Sequence, residues 1–90
     1  MAHSLSAKKR IRQNVKRRAL NRARKNQVRL SVRGLDEALQ GGDREKAQSA
    51  LKTAIKKIDQ VTAKGTMHAN TASRRKSRLQ KRFNAAFADA

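Results

Sequence analysis

Between Ala47 and Val61 the apolar side chains Ala47, Ala50, Leu51, Ala54, Ile55, Ile58 and Val61 recur at steps of three and four residues. That spacing gathers them on one face of an α-helix and scatters them over both faces of a strand, so it admits the helix. Two further stripes flank it: Val28, Val32, Leu35 and Leu39 before, and Ala72, Leu79, Phe83, Ala86 and Phe87 after. None buries itself alone, but three can cover one another. The expected fold is all-α: an antiparallel three-helix bundle, one domain over residues 1–90, with short turns and a small core.

Punctuation supports this reading. Proline is absent, and the four glycines are Gly34, Gly41, Gly42 and Gly65. The spacing predicts helices over residues 1–40, 43–63 and 67–88. Gly41 suits the residue just past the first helix, while Asp43 and Glu45 favour the start of the second. Gly65 suits the end of the second, with Thr66 as N-cap of the third. Gly34 interrupts the first pattern at a cost of about 1 kcal/mol against Ala, which suggests a bend or a close approach by another helix. From Ser6 to Leu39 the first helix is roughly 50 Å long at ~1.5 Å per residue. It must protrude beyond partners of about twenty residues.

Charge separates the three segments. The chain carries 24 Lys plus Arg against 6 Asp plus Glu, a net +18. Residues 1–33 hold twelve cations and no acid; residues 34–63 are neutral, with five of each sign; residues 64–90 hold seven cations and Asp89. Such a field speaks of a polyanionic partner. The neutral middle is structural, and the two flanks face that partner.

The first helix carries its charge all round. Taking Lys8 as zero at 100° per residue, Lys9, Arg17, Lys25 and Arg22 fall near ~100°, ~180°, ~260° and ~320°. Only a narrow seam of Ile11, Val15, Ala19 and Ala23 remains apolar. Pairs such as Lys8–Arg12, Arg12–Lys16, Arg18–Arg22 and Lys25–Arg29 place like charges one turn apart, each costing an isolated helix about 0.2–0.5 kcal/mol. A helix in a crevice between phosphate backbones would meet anions on several sides. Residues 1–25 are therefore expected to fray without nucleic acid and to become helical on binding.

Several function classes drop out. There is no Cys, hence no thiolate metal site, and His3 and His68 stand apart without a ligand cluster. The serines have no His–acid arrangement, and no Gly-rich phosphate loop is present. The chain reads as no enzyme, with no cofactor, metal, small-molecule substrate or dedicated homo-oligomer. No apolar run is long enough to span a bilayer, and residues 6–26 lack the broad Leu/Phe/Trp face of an interfacial helix. The start MAHSLSAKKR has no apolar signal stretch, so the expected location is cytoplasmic.

Recognition must rest on shape and backbone. There is no Trp or Tyr, and Phe83 and Phe87 fall on the core face, so no platform remains for stacking bases. Phosphate and sugar contacts on a folded RNA fit best, since structured RNA brings backbones close together. The alternative is a histone-like DNA-binding architectural protein. A leucine-zipper basic region is not supported, because no leucine heptad follows RRALNRARKNQ. The charge map selects Arg12, Lys16, Arg17, Arg18, Arg22, Arg24, Lys25, Arg29, Lys64 and Arg74 as RNA-binding candidates. The start of the third helix supplies free backbone donors near Thr66 to Asn70.

Four pieces carry a family resemblance: SAKKR at Ser6–Arg10, the Gly42-Asp43 turn, Lys-Gly-x-x-His-x-Asn-x-Ala from Lys64 to Ala72, and RKSRL at Arg75–Leu79. Together they resemble the family of the twentieth protein of the bacterial small ribosomal subunit, over nearly the whole chain. The resemblance implies a three-helix bundle that binds 16S ribosomal RNA directly in the 30S subunit and aids its assembly, at the bottom of the body. It also implies that the first helix is buried among RNA elements. By the same likeness Lys8, Lys9, Arg10, His68, Asn70, Arg75, Lys76 and Arg78 look like RNA contacts.

Overall fold

A computed structural model describes residues 5–88. It contains three helices: α1 (Leu5–Gly41), α2 (Arg44–Ala63) and α3 (Ala69–Ala86). His3 and Asp89 lie outside the described residues. The particle is a rod of 65 × 22 × 15 Å, its length set by α1.

The periodic stripes are the core. Ala47, Leu51, Ala54, Ile58 and Val61 of α2 are buried, together with Val28 and Leu35 of α1 and Ala72, Leu79 and Phe83 of α3. Val32, Leu39, Ala50, Ile55 and Phe87 pack against them partly buried. Ala86 is the exception, being exposed. The Phe83 and Phe87 rings, with centroids 5.1 Å apart, fill that end of the bundle and leave the short Ala86 methyl outside.

α2 is the middle layer and packs on both neighbours, while α1 is bonded at one point to the connector that leads into α3 and at another to α3 itself. At one, Thr66 bonds to Asn21; at the other, Arg82 donates to Asp36 at 2.6 Å. The order Asn21, Asp36 along α1 matches Thr66, Arg82 along the chain, so α3 runs parallel to α1 and α2 antiparallel to both. Lys76 donates to Asp59 at 2.8 Å and joins α3 to α2. Both ion pairs are partly exposed, and each contributes about 0–1 kcal/mol. Apolar burial holds the bundle together.

Two caps differ from the sequence reading, and two agree with it. α1 extends to Gly41, and the left-handed residue is Gly42, at φ 73°; its N–H donates to the Leu39 carbonyl at 3.2 Å. Asp43 then caps α2 by accepting from the Lys46 N–H at 3.2 Å. At the far end Gly65 takes φ 78°. Its N–H donates to Thr62 O and the Thr66 N–H to Val61 O, both at 3.0 Å, the Schellman pattern. Thr66 does not cap α3. His68 does, its Nδ1 accepting from the Asn70 N–H at 3.1 Å, because the hydroxyl of Thr66 is already held by α1. Gly34 marks no close approach by another helix: α1 runs through it, and a Cβ there would meet nothing within 4 Å.

Candidate nucleic-acid interface

From Lys8 to Leu20 every residue of α1 is exposed, including Ile11 at 53% and Val15 at 61%. Those thirteen positions make an arm of about 20 Å. The seam of Ile11, Val15, Ala19 and Ala23 does not continue the bundle's core, which sits on the Val28–Leu35 side of α1. The arm thus presents Lys8, Lys9, Arg10, Arg12, Lys16, Arg17 and Arg18 around its whole circumference, continued by Arg22.

No described acid neutralises them. None of these eight cations has a side-chain hydrogen bond or ion pair among the described residues, and the same holds for Lys25, Arg29, Lys64, Arg74, Arg75 and Arg78. The described acids all lie elsewhere. Asp36, Glu37 and Asp59 pair with Arg82, Arg33 and Lys76, Asp43 caps α2, and Glu45 stands in its first turn. The +18 field is therefore concentrated on the outer surfaces of α1 and α3.

Two of the sequence-predicted residues hold internal positions. Arg24 is half-buried, and its Nη1 donates to Asn21 Oδ1 at 3.4 Å and Thr66 Oγ1 at 3.3 Å. Lys76 is tied to Asp59. His68 spends Nδ1 on the cap, so its neutral ring carries the proton on Nε2, which points a donor outward. Asn70 is exposed, its side chain without a protein partner.

The two basic segments converge. α3 turns its Thr71, Arg75, Arg78, Arg82 edge towards α1, as the Arg82–Asp36 bond fixes, while Arg74 faces away and Lys76 lies on the α2 side. Lys25 and Arg29 of α1 share a cleft of about 470 Å³ with His68, Thr71 and Arg75. Lys16, Arg17 and Lys64 share a second notch, where the arm leaves the bundle. Thr71 was missed in the sequence, although its i, i+4 relation to Arg75 was there to see. Asn21 and Thr66 were missed because no local pattern links positions 45 apart.

A chain with this layout matches the family model for ribosomal protein S20 over residues 2–84. The chain belongs to the ribosomal protein S20 family. Among its relatives is the small ribosomal subunit protein bS20 of Desulforudis audaxviator, 49% identical over 84 residues, covering 93% of this chain and 96% of that protein. That of Syntrophobacter fumaroxidans is 48% identical, covering 94% and 99%. That of Kineococcus radiotolerans is 51% identical, covering 90% and 94%. Membership of the S20 family accounts for the combination of a minimal core with surplus cations, as expected of a ribosomal protein. Among the described residues no helix is long and apolar enough to cross a membrane, and no three His, Cys, Asp or Glu side chains gather at one place.

Proposed function

We propose that this chain is a structural component of the small ribosomal subunit, in the bacterial cytoplasm, and binds 16S ribosomal RNA directly through α1 and the α1-facing edge of α3. Its work is phosphate neutralisation: the arm enters between RNA helices and lowers the repulsion that resists their packing during assembly. The observation that carries this reading is the unpaired cationic surface on all sides of the exposed arm. A flat duplex presents phosphates to one side of a helix, whereas packed RNA encloses it. The bundle's part is to hold the arm at a fixed angle, through Asn21, Arg24 and Thr66.

The test is competition. At ~200 mM salt, where weak backbone binding is largely screened, folded 16S ribosomal RNA should bind and duplex DNA should not displace it. Equal competition by duplex DNA would instead support the DNA-compacting alternative.

A further inference from the structure

Between the Asn21–Thr66 bond and the Arg82–Asp36 pair, a furrow runs along α1 and the start of α3. Its cavity, about 470 Å³, lies within the ~300–1,000 Å³ usual for small-ligand sites. The lining is graded. Val32, Thr66, Met67 and Thr71, all half-buried, form an uncharged floor; Lys25, Arg29, His68 and Arg75, all exposed, form the rim.

We infer that this furrow receives one unstacked nucleotide of the bound RNA, with base and sugar against the Val32–Met67 floor and phosphate at the Lys25–Arg29–Arg75 rim. The inference rests on the RNA-binding reading and adds to it a specific occupant. A bare phosphate has no use for an aliphatic and thioether floor, and an apolar ligand has no use for three cations at the mouth. A nucleotide uses both. Among the described residues the Thr71 hydroxyl has no partner, and the exposed His68 ring keeps Nε2 free of the cap, giving a donor–acceptor and a donor for a 2′-hydroxyl or a base edge. The polarizable Met67 sulfur offers the base a contact that no aromatic side chain provides here. Phe83 and Phe87 are at the other end of α3. Because nothing on the floor is a fixed base-reading pair, the site should tolerate more than one base.

The experiment uses the full chain labelled at its methionine methyls, of which the sequence has two, Met1 and Met67. The probe is the 16S ribosomal RNA fragment that the protein protects. In the complex the Met67 methyl resonance should move upfield, as a base ring overhead requires. Thr71→Glu should weaken binding about tenfold, the size of one lost base contact, while Ser73→Glu, the same charge on another face of α3, should cost far less. RNA that binds with the Met67 methyl unmoved, or equal losses from the two variants, overturns the inference and leaves the RNA reading standing. RNA that does not bind at all removes both.

Discussion

The Thr66 hydroxyl donates to Asn21 Oδ1 at 2.8 Å, joining residues 45 positions apart. Arg24 Nη1 reaches both oxygens, at 3.3 and 3.4 Å. This knot sits where α1 leaves the bundle, and it sets the direction in which the arm points. Asn21→Leu leaves the Thr66 hydroxyl without its acceptor and the Arg24 guanidinium with the Thr66 oxygen alone. Urea unfolding should show a loss of about 0.5–1.5 kcal/mol, with amide exchange speeding up first around the 64–68 connector.

The core should be unforgiving at its centre. Ile58 and Leu35 are 0% exposed, so Ile58→Ala or Leu35→Ala should each cost about 2–5 kcal/mol, enough to unfold much of so small a protein. Ile58→Asp should abolish the helical signal, since a buried carboxylate finds no partner there. Ile55→Asp should be milder, because Ile55 lies at the edge of the stripe and is only half-buried.

The two isolated glycines should respond oppositely. Gly34→Ala puts a methyl into open space on a regular helix and should raise stability by about 0.5–1 kcal/mol. Gly65→Ala forces a Cβ onto φ 78° and should lower it by about 1 kcal/mol. Thermal unfolding separates them.

Those contrasts show what could be read in the chain. Spacing alone located the three helices, because burial on one helical face leaves a period in the sequence; Val28, Leu51, Ile58 and Leu79 were all legible that way. Cap residues were legible in part: Asp43 and Gly65 stand where the sequence put them, Gly41 and Thr66 do not. Gly41 and Gly42 are chemically identical neighbours, and the turn's geometry decides which becomes left-handed. Thr66 was a plausible cap until a bond across the fold claimed its hydroxyl. The arm was legible as charge, but the Thr71–Arg75–Val32 furrow exists only once α1 and α3 are set side by side.

Order in the arm follows from its exposure. The structure carries α1 unbroken from Leu5, whereas its repeated like-charge pairs favour fraying without a partner. Amides of residues 8–20 should therefore exchange far faster than those around Val28 and Leu35 in the free protein. RNA should slow them. Slow exchange of the free arm would show that it is rigid by itself.

Salt dependence measures how many cations work. For about six to ten phosphate contacts, log affinity should fall with log salt at a slope of about −5 to −9. Replacing Arg17, Arg18 and Arg22 with Gln should make that slope shallower by about 2–3. The fold should be unchanged, since all three are exposed and unpaired within the protein.

Enclosure of the arm by RNA is open to direct measurement. The chain has no cysteine, so single cysteines at Gln13, Asn14 and Ala19 can each carry an iron chelate that cleaves nearby RNA. These positions point in three directions roughly 100–140° apart around α1. All three should cut 16S ribosomal RNA, each on different strands. A position that leaves the RNA uncut, in a variant that binds as tightly as the parent, would mean that one side of the arm faces solvent and that the arm is not enclosed.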